Sequence, residues 1–244
     1  MFEGLYSRLL KLEGEVGHRR IYSQIAYPVV RDLQTVPAVH MESLDLAAWY
    51  PLVWLRDAEG LELLALRSFL PLGAGHSQTA LRNVRALPLL LQAYPFACPP
   101  DQPQDAIFVD DAVADQPDNT GATILTPNGS PSRASAQRIY AAAYFRSAYD
   151  ITRRMSAALD AGGLLEPWDM GLPADPPLGP FPQFLILRPA ALASDVFGPF
   201  VHMFGLAGMR LLNAHALSLF RAGVLYQNAR QAIAPQQLAG FAPA

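Results

Sequence analysis

The sequence predicts an α+β fold, with a small antiparallel sheet packed against one long helix and C-terminal helices. Three observations predict it. The apolar runs "YPLVWLR" and "LELLALRSF" are separated by "DAEG", the pattern of a β-hairpin. Residues 131–161 carry helical periodicity, with serines at the start and Gly162-Gly163 behind. Residues 209–231 are apolar around most of a helical circumference as far as Tyr226, which suits a helix buried in a domain or an interface.

The elements follow in order. The opening "MFEGLYSRLLKLEGEV" reads as a short amphipathic helix over residues 3–12. The hairpin comes next, its leucine-rich second run open to either strand or helix. "GAGHSQT" is a loop, and Pro88 opens a short helix that Tyr94-Pro95 ends by forcing an extended exit. "AIFVDDAV" is a strand of the buried type, and "ATILTPNGSPS" a short strand with a tight turn at Asn128-Gly129. In the long helix, Ser130 or Ser132 supplies the cap. Tyr140, Tyr144, Ser147, Ile151, Met155, Ala158 and Leu159 lie near one face, the expected core face. Arg138, Arg146, Asp150, Arg153 and Asp160 fill the remainder. "LLEPWDM" leads into a proline-rich loop over residues 173–182, and "PQFLILR" is a further strand. Ser194-Asp195 starts the last helical region, expected to break at residues 205–208, and residues 232–244 form a frayed tail. One domain over residues 1–244 accommodates all of this.

Of the 244 residues, 51% are hydrophobic and 16% charged, enough apolar mass for a sizeable core and too much for wholesale disorder. The net charge is −3, and Lys11 is the only lysine, so nothing tracks a nucleic-acid backbone. Cys98 stands alone, which removes an internal disulfide and a cysteine-based zinc cluster. The N-terminus lacks the basic-then-apolar order of a Sec signal, and Pro199, Gly205 and Gly208 interrupt the most apolar stretch. The expectation is a cytoplasmic protein without a transmembrane segment, non-Sec export remaining open.

Chemistry-bearing motifs are sparse. The five histidines are scattered without metal-ligand spacing. His40 and Glu42 are two residues apart and would share a face on a strand, and Glu42 with His18 or His40 forms the one candidate acid–base set. Against that stands a structural Glu42 that fixes the chain's entry into the sheet. No GxSxG elbow, complete GxGxxG or Walker lysine occurs. Asp110 and Asp111 are adjacent, so a strand sends one inward and one outward. His215 and Ser218 are three apart on a helix and read as a hydrogen-bonded core pair. No cofactor and no metal are expected.

Five segments follow one another in an order that resembles the SapC-like family: "GHRRIYSQ", "VPAVHMESLDLAAWYPLVWL", "LPLLLQAYPFA", "GLLEPWDM" and "GMRLLNAHALSLFRAGVL". Glu42, Tyr50-Pro51, Tyr94-Pro95-Phe96, residues 164–168 and residues 217–219 match directly. The family's acidic hairpin after the second strand is replaced by "GAGHSQTALRNVRA", and an arginine pair before "YPF" by Gln92-Ala93. The resemblance implies a bacterial accessory protein, from a family named for surface-layer loci and encoded near halogenase-like genes, with no catalytic residues to carry over.

The leading expectation is therefore a non-catalytic accessory or binding protein that engages a protein or peptide partner. Its expected groove uses Trp49, Tyr50, Tyr94, Trp168 and His215, with the C-terminal helix offered to a homo-oligomer. The alternatives are an enzyme or enzyme subunit acting on a peptide or small aromatic metabolite, and a surface-layer structural protein.

Overall fold

The computed structural model describes residues 4–58, 60–103, 105–115, 117, 120–172, 178, 181–193, 195 and 197–239. Most of the proline-rich loop at 173–182, Ser194 and the final residues 240–244 lie outside them.

The first element is a strand, β1 (Leu9–Lys11), and not the expected helix. Its partner is distant in sequence: β1 pairs antiparallel with β7 (Phe108–Asp110). Asp110 Oδ1 also accepts the backbone N–H groups of Ser7 and Arg8 at 3.0 and 2.8 Å. These donors, which a helix would have left free at its start, fix an extended backbone. Between them lie β2 (Arg20–Ile21), α1 (Pro28–Asp32), β3 (Thr35–Pro37), α2 (Ser43–Ala47), β4 (Leu52–Asp57), β5 (Gly60–Leu66), α3 (Gln78–Arg82), α4 (Leu89–Ala93) and β6 (Phe96–Ala97). After β7 come β8 (Ala122–Thr123), α5 (Arg133–Ala161), β9 (Leu165–Pro167), β10 (Leu185–Leu187), α6 (Phe197–Ser218) and α7 (Arg221–Ala239).

Among the described residues the antiparallel strands form three sheets, in the orders β3-β5-β4-β10-β9, β1-β7-β6 and β2-β8. The hairpin is the centre of the first, with Trp54 opposite Leu63 and Val53 opposite Leu64. Side chains alternate across it. Leu52, Trp54, Leu61, Leu63 and Ala65 pack with Met155 and Leu159 of α5 and Leu211 and Leu212 of α6. Val53, Leu64 and Leu66 pack with Leu225, Tyr226 and Ala229 of α7. Both faces are covered, which is why the β5 sequence is nearly continuous in leucine and hid its period.

Helix α5 begins where Ser132 accepts the Ser135 N–H at 3.2 Å and stops at Gly162-Gly163, with Gly163 at φ +59°, a conformation glycine adopts without strain. The expected core face holds in the second half, where Met155 and Leu159 are buried, and is rotated in the first. Ala141, Ala142, Phe145, Ala148 and Tyr149 are buried, whereas Tyr140, Ser147 and Ile151 are exposed. The alanines admit α4 at close range, which tyrosines there would prevent. Arg138, expected in solvent, is buried and donates to the carbonyls of Tyr94 (2.9 Å) and Tyr22.

Asp110 and Asp111 divide as expected. Asp110 is buried and accepts the Tyr94 hydroxyl at 2.6 Å, while Asp111 pairs with Arg19 at the surface. The Tyr94–Pro95 peptide bond is cis. The expected break near residue 205 is a kink inside α6, where Gly205 takes φ +51°. The run from Met209 is not one helix, however: α6 ends at Ser218 and α7 starts at Arg221, so the two pack on opposite faces of the sheet. Helix α7 continues to Ala239, past the start of the expected frayed tail. No helix among the described residues is long and apolar enough to cross a membrane.

Candidate functional site

Glu42 ends a 3-10 turn, His40–Glu42, between β3 and α2. Its side chain turns inward. Oε1 accepts the Val39 N–H at 3.0 Å and Oε2 the Leu89 N–H at 2.6 Å. Leu89 opens α4, so one carboxyl joins the turn after β3 to the start of a helix 47 residues later. The carboxyl is buried, and burial pushes its pKa up to about 8 against the downward pull of the two backbone donors, with Asp45 adding to the rise.

His40 points elsewhere. Its backbone N–H and Nδ1 both meet Thr152 Oγ1 of α5, at 3.0 and 2.8 Å. Thr152 donates its own proton to the Ala148 carbonyl, so Nδ1 carries the hydrogen toward Thr152. Burial lowers the His40 pKa. His18 is exposed at the end of the 3-10 turn Gly14–His18 that leads into β2. Neither histidine hydrogen-bonds Glu42, so the structure does not assemble the candidate acid–base set.

The five expected groove residues are also dispersed. Trp49 and Tyr50 belong to the core between the sheet and α6, Tyr94 to the core around α4, and Trp168 to the cluster on the other face of the sheet. Tyr50 and Tyr94 are buried. His215 is fully buried where β4 and β10, paired at Trp54 and Leu185, separate. Its Nδ1–H donates to the Leu52 carbonyl at 2.7 Å, and Nε2 accepts the Leu187 N–H at 3.1 Å. The imidazole thus stands in for a missing rung of the ladder. Ser218 Oγ accepts the Leu52 N–H at 2.9 Å and donates to the His215 carbonyl at 2.7 Å. Both polar groups of Leu52 are satisfied by one turn of α6. Burial lowers the His215 pKa to about 4, which keeps the ring neutral and able to accept.

The open feature lies on the other side of Glu42. A cleft of about 400 Å³ is walled by the 41–46 turn and α2, the 85–92 segment and α5, with Glu42 in its wall. That volume lies within the range of ligand pockets. Tyr140 and Tyr144, one helical turn apart, stack at its edge with ring centroids 6.1 Å apart and planes 7° from parallel. Tyr140 is 71% exposed, and Met41 is 51% exposed across from the pair. Asp45, Arg85 and Gln137 line the same cleft, are exposed, and have no side-chain hydrogen bond or ion pair among the described residues. Gln92 donates to the Leu87 carbonyl at 2.6 Å and keeps its amide oxygen free. No histidine or cysteine lines the cleft.

Sequence reasoning placed both Tyr140 and Tyr144 on the core face, where only Tyr144 packs in part, and missed Asp45, Arg85 and Gln137. A large aromatic beside Ala141, where the smaller residue takes the buried position, is the signal that could have found the rim. Among the described residues no group of three or more His, Cys, Asp or Glu could hold a metal ion.

A family model described as SapC matches residues 16–179, more than half of the chain, and the chain belongs to the SapC family. The matched segment contains every wall of the cleft, whereas α6 and α7, with His215 and Ser218, lie beyond it. No curated protein and no solved structure matches the chain.

Proposed function

We propose that this SapC-family chain is a non-catalytic accessory protein that binds a protein or peptide partner in the cytoplasm, and that the cleft between α2, α4 and α5 is where it does so. One observation carries the reading. The cleft keeps Tyr140 exposed and its charged rim groups without a partner among the described residues, while its one buried acid is already committed to two backbone donors. Stacked tyrosines offer flat contact area at low entropic cost, and the unpaired polar rim can orient a ligand.

The test is selection of random peptides displayed on phage against the wild-type protein and against the Tyr140→Ala/Tyr144→Ala variant. Peptides enriched on the wild type and lost on the variant are expected. Enrichment indifferent to the tyrosines would count against the cleft.

A second reading has one observation in its favour: a carboxyl with a pKa near 8 in the wall of an open cleft is suited to general acid catalysis. Glu42→Gln separates the two. A variant that loses a measured turnover at unchanged melting temperature supports an enzyme; one that melts lower supports the anchor.

A further inference from the structure

Given that reading of the cleft, we infer that its ligand is a proline-rich segment in the polyproline II conformation, followed by a basic residue. The inference starts from what the cleft has left to bond with. Its strongest acceptor, Glu42, is consumed by Val39 and Leu89. The groups that remain include donors in the Arg85 guanidinium, the Gln137 amide and the two phenols, with the Gln92 amide oxygen as an acceptor and Asp45 as the one free carboxylate.

Three backbone conformations can be compared with that set. A peptide in β conformation brings its own N–H groups and seeks a sheet edge, but every wall of this cleft is helix or turn. A helical ligand has its backbone groups satisfied internally, and at about 10–12 Å across it is wide for a cleft of about 400 Å³. A proline-rich segment has free carbonyls and almost no N–H, so it needs the donors that this cleft supplies. Its pyrrolidine rings pack on flat aromatic surface, which the exposed Tyr140 offers, its ring backed by Tyr144 with planes 7° from parallel. Asp45 then has a cationic side chain as its complement, which fixes the direction in which the segment lies.

The probe is a fluorescein-labelled decapeptide of nine prolines and a C-terminal arginine amide, read by fluorescence anisotropy at low salt. Its controls are a glycine–serine decapeptide with the same terminus and a polyproline peptide ending in glutamine. Saturable binding of the first, and none of the glycine–serine control, is expected. Tyr140→Ala should weaken it about tenfold or more at unchanged melting temperature. Asp45→Asn should weaken the arginine-ended peptide and leave the glutamine-ended one unchanged. Absence of saturable polyproline binding, or binding indifferent to the tyrosines, overturns the inference. The phage selection tells the two failures apart. Tyrosine-dependent peptides without proline would sink the ligand class and spare the cleft; no tyrosine-dependent peptide at all would sink both.

Discussion

Two pairs of side chains on long helices, His215 with Ser218 on α6 and Tyr140 with Tyr144 on α5, invert the roles their chemistry suggests. The polar pair is fully buried, and every one of its polar atoms serves the backbone of β4, β10 or α6. The aromatic pair lies at the edge of an open cleft, and Tyr140 is among the most exposed large residues of the chain. Polarity alone makes the first pair a catalytic candidate and the second a piece of core. What decides is whether the group's bonding capacity is spent inside the fold. A buried backbone carbonyl and N–H left unpaired cost about 1–3 kcal/mol each, so a fold recruits polar side chains to them. No such demand holds Tyr140, whose ring remains exposed, while Tyr144 keeps one side against the core around α4.

The comparison breaks most visibly at His215. His215→Ala leaves the Leu52 carbonyl and the Leu187 N–H unpaired and opens a cavity beside Trp54, whose ring lies 4.7 Å from the imidazole. A loss of about 3 kcal/mol or more is expected by urea denaturation. Glu42→Gln comes second. A carboxamide has one oxygen and one donor end, so it cannot accept from both Val39 and Leu89. A loss of about 1–3 kcal/mol is expected by the same measurement.

The pH dependence of stability sharpens the contrast further. The folded pKa of Glu42 is raised from 4.5 to about 8, so the native state holds a proton that the unfolded chain releases. Its contribution is full below 4.5 and is lost as pH rises through 8. His215 is depressed from 6.5 to about 4, so its contribution is full above 6.5 and is lost as pH falls through 4. Between about pH 6.5 and 8 the histidine term is flat and the Glu42 term declines. Unfolding free energy measured across that window should fall with pH in the wild type and lose that slope in Glu42→Gln. A slope of equal size in both proteins would assign it to another group. The smallest effect belongs to Tyr140→Ala, within about 0.5 kcal/mol of wild type, as for surface substitutions generally.

The parts of this molecule that were legible in the sequence are those whose causes are local. The hairpin was written in "YPLVWLR", "DAEG" and "LELLALRSF". The ends of α5 were written in Ser132 and Gly162-Gly163. The misread parts are set by distant partners. Strand β1 exists because Asp110 and β7, some hundred residues later, take its backbone donors. The working face of α5 depends on α4 docking against its alanines, which turns Tyr140 outward and leaves Tyr144 half-buried beside them. The cleft has three walls from three separate stretches of chain, so no single motif could announce it.

Side-by-side thermal melts of His215→Ala and Tyr140→Ala test the central claim most directly, because each removes one member of a pair from one region only. The histidine variant is expected to melt about 6–12 °C below the wild type and the tyrosine variant within about 2 °C of it. A tyrosine variant that melts as low as the histidine variant, or a histidine variant that melts with the wild type, would contradict the account.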